Sequence, residues 1–383
     1  MMRLLYPVFV ALLLIAVGFF FLVIPKRVDA GMNKVVPHAP YEISDEAAAL
    51  HETLRVADLH NDALLWDRDF LQPQTRGHSD APRLHKGNFR LQVLSSVTKT
   101  PRNLNYAEND AASDNITPLV IAQRWPVKTW GSLAERALHH AALAQSAAKR
   151  SKGGLAVVRS RQELAAALDT DAIAIVLATE GAHPLEGNLA NLDRLYDAGF
   201  RMLGLQHFFD NELGGSLHGV SNGGLTDFGR AAVKAAEEKG MIIDVAHSSE
   251  AVVRDVLSIA TGPLVVSHTG MRGHCENDRN FSDDLMREIA SRGGLVGIGF
   301  WDGAVCEATV PSIAAAIVYA IETLGAENVA LGSDYDGATT VPFDAAEIAA
   351  LTQALLTAGV SEADIRAVMG ENAIRFFAVN LPG

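Results

Sequence analysis

His60 and Asp62, in the run Val56-Ala57-Asp58-Leu59-His60-Asn61-Asp62, are the residues whose types and spacing most clearly suggest chemistry. In an extended strand, side chains two apart point the same way, so this imidazole and this carboxylate are expected to share one face. A neutral imidazole nitrogen beside a hard carboxylate oxygen suits a divalent metal such as zinc. One such pair is weak evidence by itself, because a single strand-end histidine is more often a hydrogen-bonded core residue. The case grows because later apolar runs end similarly, in Glu180, His207, His247, His268 and Asp334.

Those runs define the elements that must position the candidates. They are Val56–His60, Leu91–Val97, Ala172–Glu180, Phe200–His207, Met241–His247, Pro263–His268, Leu295–Phe300 and Val329–Asp334. Their apolar residues are nearly continuous, as expected of parallel strands covered on both faces. Between them lie segments with readable helix ends. Thr226 caps a helix reaching to Gly240, Ser249 opens one through Leu257, and Ser282 opens one ending at Gly293-Gly294. Ser361 to Asp364 has capping-box spacing. Eight strands alternating with helices predict an α/β fold, a TIM-like (β/α)8 barrel, whose active site lies at the C-terminal strand ends. A doubly wound sheet is the alternative, but no Gly-rich phosphate turn follows the first strand. Six of eight strand ends carry an ionisable residue; the second and seventh carry none.

Burying so many ionisable groups without a cation is costly. Glu180 as a bridge between two ions gives His60, Asp62 and Glu180 to one and Glu180, His247 and His268 to the other. Two metals so placed hold a hydroxide and clamp an oxyanion. Asp334 is placed to shuttle a proton to a leaving amine; Asp336 shares its face by spacing and is the weaker candidate. His207 is a candidate to polarise a substrate carbonyl. Arg279 suits bidentate capture of a carboxylate, although a loop arginine is usually just solvated. His183 reads as structural or as supporting a ligand, and the other eight histidines (38, 51, 78, 85, 139, 140, 218 and 274) fit no strand end.

Residues Leu4 to Ile24 form an uncharged run of 21 residues, ended by Pro25-Lys26-Arg27. That length spans a bilayer as helix, and Val28-Asp29-Ala30 is a poor cleavage site. The expectation is an uncleaved membrane anchor over residues 1–30, with a cleaved signal as the alternative, then a polar linker over 31–43 and a barrel domain over 44–383. Basic residues flank both ends, so they leave orientation open; the barrel is expected outside the cytoplasmic membrane. The formal charge of −13 and the lack of a basic run exclude nucleic acid as an expected partner. Cys275 and Cys306 form no C-x-x-C and no disulfide framework. The Asn-, Asp- and Pro-containing stretch Thr98–Thr117 reads as a surface excursion.

As an ordered set, these motifs resemble the membrane dipeptidase (renal dipeptidase) family of binuclear zinc peptidases. The matching pieces are Asp58-Leu59-His60-Asn61-Asp62, Asp80-Ala81-Pro82-Arg83-Leu84, Glu180-Gly181-Ala182-His183, Ile243-Asp244-Val245-Ala246-His247, Ser267-His268, Arg279-Asn280 and Gly332-Ser333-Asp334-Tyr335-Asp336-Gly337. The resemblance runs from about Ala57 to Phe377 and departs in Thr98–Thr117 and Phe208–Gly224, loops expected to shape the pocket. It implies a metal-dependent-hydrolase barrel with two Zn2+ ions bridged by Glu180. It assigns His207 to the substrate carbonyl, Arg279 to the dipeptide's C-terminal carboxylate and Asp334 to proton transfer. The implied substrates are dipeptides, often with a D-residue at the C-terminal position, and a homodimer is compatible with this reading. Two alternatives stand beside it: another binuclear amidohydrolase acting on a cyclic amide, lactone or β-lactam, and a non-catalytic peptide-binding protein. Relatives of the former often carry His-x-His on strand one and a lysine on strand four, where this chain has His60-x-Asp62 and His207.

Overall fold

A computed structural model describes residues 2–383, with side chains described from Pro7 onward. Eight parallel strands close into a barrel: β1 Val56–Asp58, β2 Phe89–Val97, β3 Ile173–Glu180, β4 Phe200–Gly204, β5 Ile242–Asp244, β6 Val265–Thr269, β7 Leu295–Ile298 and β8 Val329–Leu331. Each pairs with its chain neighbour. Contact of β8 with β1 (Leu331 opposite Asp58) and of β2 with β3 (Leu91 opposite Ala174, through Val97 opposite Glu180) closes the ring. A short extra strand, Leu155–Val157, lies on β3. The closed parallel ring is the expected barrel rather than a doubly wound sheet.

The β3 sequence shows how the pattern directs side chains. All eight residues are buried. Ile173, Ile175 and Leu177 join the large cluster under the surrounding helices, while Ala174, Val176 and Ala178 join the second cluster with Leu91, Val93 and Phe377. Glu180 follows the latter set at period two, so the face that fills the barrel delivers this carboxylate to its mouth.

Helix starts follow the expected chemistry at three of four positions. Thr226 accepts from Gly229 N, Ser249 from Val252 N and Ser361 from Asp364 N. Ser282 precedes its helix without a side-chain cap; its amide donates to the Glu250 carboxylate instead. Gly240 and Gly293 stand at φ +70° and +77°, the left-handed stop that glycine adopts without a Cβ penalty.

The N-terminal helix runs from Met2 to Leu22 (α1) and continues as Ile24–Met32 (α2). Residues Pro7–Met32 are long and apolar enough to cross a membrane, and Phe9, Leu12, Leu14 and Ile15 are exposed along it. The polar stretch after it, expected as a linker, is tied to the barrel. Lys34–Val35 pairs with Thr340–Val341, Tyr41 Oη donates to Pro342 O, and Asn33 Oδ1 accepts from Ala338 N. The two cysteines, expected to build no framework, form one bridge: Cys275–Cys306 joins the loops after β6 and β7.

Candidate active site

The strands are shorter than the apolar runs. Glu180 and His268 lie within strands, but His60, Asp62, His207, His247 and Asp334 lie in the turns just beyond them. Asp62 is not extended (φ −103°, ψ 24°), so simple strand alternation does not account for its partnership with His60. Hydrogen bonds shape this turn instead. Asp62 N donates to Tyr335 O, and Asn61 Oδ1 accepts from Ala63 N while its amide donates to Ser79 Oγ. His247 and Asp334 adopt φ +62° and +57°. Such left-handed backbone in residues with a Cβ is uncommon and persists only where the surroundings enforce it. On β6, the register against β7 shifts between Val266 and Thr269, where His268 enters the site.

These turns bring the groups together around one oxygen. Glu180 Oε1 lies 3.5 Å from His60 Nε2, 3.3 Å from His207 Nε2, 3.2 Å from His247 Nε2 and 3.3 Å from His268 Nε2. His60 Nε2 is also 3.5 Å from Asp62 Oδ2 and 3.9 Å from Asp334 Oδ1. Three sets of donor atoms lie within 4.8 Å of one another: His60, Asp62 and Glu180; Glu180, His207 and His247; and His60, His268 and Asp334. His207 and Asp334 therefore stand as close to the cluster as the five predicted ligands.

The donor set fits cations. His60 Nε2, Asp62 Oδ1 and Asp334 Oδ1 are buried without a hydrogen-bond partner, and His247 Nε2 and His268 Nε2 face each other at 3.0 Å. Buried polar groups are ordinarily satisfied, so unpartnered donor atoms on neighbouring residues of one cluster suit a bound cation. The electrostatics agree. Burial, reinforced by Glu180 and opposed by His60, pushes Asp62 up to about 6. Burial also raises Asp334 well above the usual carboxylate range; His60 opposes this, while Asp62 and Glu180 add to it. Burial would lower the His60 imidazole, but the Asp62 and Glu180 carboxylates overcome it and raise it to about 10. Burial, helped first by Arg279 at His247 and by His60 at His268, holds those two imidazoles well below their ordinary value, so they stay neutral and able to ligate.

Groups behind the cluster hold it in place. Ser267 Oγ lies 2.9 Å from His268 Nδ1, leaving Nε2 to face the centre. Asp58 accepts from Ser333 N and Oγ and from Gln92 Nε2, locking the β8 turn onto β1. Asp334 and Asp336 part company, contrary to their shared spacing. Asp336 turns away to accept from His78 N and Ser79 Oγ and to pair with Arg68. His78, given no metal by position, accepts from Asp336 N through Nδ1. His183 packs on Phe209 at 4.5 Å between ring centroids, outside all three donor sets.

Arg279 is fully buried. Its Nη2 donates to His268 O at 2.6 Å and lies 3.3 Å from His247 Nε2, and its guanidinium lies 5.3 Å from the Trp301 ring centre. Among the described residues it has no carboxylate within salt-bridge distance, an expensive state for a buried cation unless an anion visits it. Two residues escaped sequence reasoning. Tyr106 Oη accepts from Trp301 Nε1 at 2.8 Å, and both line the cavity above the cluster. The stretch Thr98–Thr117 is therefore no mere surface excursion: Leu104, Tyr106 and Ile116 face this cavity. Its Tyr-in-polar-loop pattern was the one available signal.

Comparison with known proteins agrees with this architecture. Residues 44–379 match the family model described as membrane dipeptidase (peptidase family M19). The chain is 28% identical over 342 residues to Dipeptidase 3 of Macaca fascicularis, covering 85% of this chain and 68% of that protein. It is 29% identical over 339 residues to Dipeptidase 3 of Mus musculus, covering 83% and 66%. The chain thus spans about two thirds of these relatives' length. Among solved structures, the probable dipeptidase PvdM of Pseudomonas aeruginosa superposes with TM-score 0.72 at 19% identity, covering 87% of this chain and 97% of that one. A metallo peptidase of Rhodobacter sphaeroides gives 0.69 at 22%, covering 86% and 99%. At such identities these likenesses speak for the fold. The match over residues 44–379 decides the family: this chain belongs to the membrane dipeptidase family M19, a family of metal-dependent peptide-bond hydrolases.

Proposed function

We propose that this chain hydrolyses the peptide bond of dipeptides with two zinc ions, one held by His60, Asp62 and Glu180 and the other by Glu180, His247 and His268. The observation that carries the reading is the convergence of four imidazole Nε2 atoms, at 3.2–3.5 Å, on the single oxygen Glu180 Oε1. Bound there, the ions would supply an activated water nucleophile near neutral pH and positive charge opposite a developing oxyanion.

The chain's own residues do the rest. Arg279, buried and without a carboxylate partner among the described residues, receives the C-terminal carboxylate and fixes the dipeptide's length. His207 Nε2 reaches the same oxygen as the ligands and is placed to donate to the carbonyl oxygen as the carbon becomes tetrahedral. Asp334 takes the proton of the attacking water and returns it to the leaving amine. Its Oδ1 lies 3.9 Å from His60 Nε2, at the edge of the cluster where that water would sit. Burial of Glu180, His207, Arg279 and Asp334 limits their contact with bulk water. One structural relative was solved with a phosphinate mimic of the dipeptide L-Ala-D-Ala, so the proposal extends to a D-residue at the C-terminal position. The apolar N-terminal helix is the proposed membrane anchor, holding the barrel at the outer surface of the cytoplasmic membrane.

The test is a panel on the full chain in detergent: L-Ala-L-Ala, L-Ala-D-Ala, a lactone and a phosphotriester, each before and after chelation and zinc return. Dipeptide cleavage lost on chelation and restored by zinc is the expected result. Turnover of the lactone or phosphotriester without dipeptide cleavage overturns the proposal, as does tight dipeptide binding with no turnover.

A further inference from the structure

The cavity above the cluster has a second end. It encloses about 570 Å3, and its walls run from Asp62, Glu180 and Arg279 to Phe20, Ile24, Val28 and Met32 of α1 and α2. Those four helix residues are spaced four apart and so form one stripe along the helix.

The helix end is fixed against the barrel. Buried Asp29 accepts from Arg76 Nε at 2.6 Å and Asn33 Nδ2 at 2.9 Å, and lies 3.3 Å from Arg68 Nε. Arg68 continues to Asp336 Oδ1 at 2.8 Å, in the same turn as Asp334. Val28 packs with Leu119 against the apolar group of Leu65, Trp66, Val97 and Ile116. Beyond this seat the helix is bare and apolar towards its N-terminus, and Lys26 and Arg27 are exposed beside the seat. The mouth of the site is therefore walled by the last turns of the N-terminal helix.

We infer that the site takes dipeptides whose N-terminal residue carries a long aliphatic chain, laid along the Phe20–Ile24–Val28–Met32 stripe towards the bilayer. The inference rests on the dipeptidase reading above. With the carboxylate at Arg279, on the β6–β7 side beside Trp301, the other residue is left to the β1–β2 side, where Leu65, Trp66 and the helix stand. A cavity of this size holds drug-sized ligands. A short polar dipeptide would leave the apolar wall bare, whereas an alkyl chain would cover it. Each methylene fully buried there raises affinity about fourfold.

The experiment uses the zinc-loaded full chain in lipid nanodiscs and a series of X-Gly dipeptides, with X running from alanine to 2-aminododecanoic acid. The expected kcat/KM rises two- to fourfold per methylene over the first several carbons. In Ile24→Ser and Val28→Ser the long-to-short ratio falls fivefold or more. Lipid partitioning is common to all the proteins, so the change in ratio isolates the helix wall. Should a substitution at a packed position impair folding, Met32→Ser, 42% exposed, gives the same readout. Ala-Gly cleaved with a flat or falling series, or variants that keep the wild-type ratio, overturn the inference alone. Absence of cleavage across the whole series overturns the dipeptidase reading instead.

Discussion

Replacing Gly337 with alanine tests how closely the position of Asp334 governs turnover. A Cβ at residue 337 would fall 1.8 Å from Asp334 Oδ1, 2.7 Å from its Cγ and 3.1 Å from Asp62 Oδ2. Ordinary van der Waals contact begins near 3.4 Å, so the Asp334 carboxylate must retreat by about 1.6 Å (3.4 − 1.8) or the turn must open. Neither is cheap, because Asp334 already sits at φ +57° and the turn is held by Gly337 N donating to Asp334 O. Misplacing a catalytic group by about 1 Å can cost on the order of 100-fold, or about 2.7 kcal/mol of barrier. Gly337→Ala should therefore lower kcat for L-Ala-L-Ala about 100-fold. Arg279 is untouched, so KM should move less than threefold. Gly131→Ala is the control, since a Cβ there meets nothing within 4 Å. Steady-state kinetics on both variants, with zinc content and melting temperature measured alongside, complete the assay. A kcat within threefold of wild type in folded, zinc-loaded Gly337→Ala would refute the positioning argument.

Glu180→Gln removes the charge that all four imidazoles face, and zinc content after dialysis should fall from two equivalents to below one, read by elemental analysis. Arg279→Lys keeps a charge but loses the planar fork, so KM for dipeptides should rise roughly 10- to 100-fold with kcat within about threefold, in line with the worth of a charge-assisted pair; an unchanged KM contradicts the carboxylate role. His140 is buried with Nδ1 2.7 Å from Ser96 Oγ, and burial, with His139 and Arg136 adding, lowers its pKa to about 3. The unfolded chain then binds the extra proton first, so this stability is full above about pH 6.5 and is lost as pH falls towards 3. Urea unfolding of chelated protein should show wild type losing about 1.4 kcal/mol per pH unit more than His140→Gln between pH 6 and 4; parallel slopes would contradict it.

The barrel was legible because its strands are continuous apolar runs, and the candidate cluster because metal-type residues close those runs. Glu180 obeyed strand periodicity through Ala174, Val176 and Ala178. Asp62, His247 and Asp334 reached the same point by another route, through turns outside the strands and, at His247 and Asp334, left-handed backbone that no local sequence rule announces. Asp334 and Asp336 show the limit most clearly. Equal spacing predicted a shared face, but Arg68, His78 and Ser79, far away in sequence, draw Asp336 away. Long-range pairing likewise hid the seat of the helix, since Asp29 meets its partners Arg68 and Arg76 only once the chain has folded. The cysteine bridge and the Tyr106–Trp301 contact were invisible for the same reason: each joins two loops whose proximity the barrel alone creates.

The most direct measurement is anomalous diffraction at the zinc edge on crystals of the full chain grown with zinc. The account predicts two peaks on either side of Glu180, one contacted by His60 and Asp62, the other by His247 and His268. No peak in the barrel mouth, or peaks that Glu180 does not touch, would contradict it.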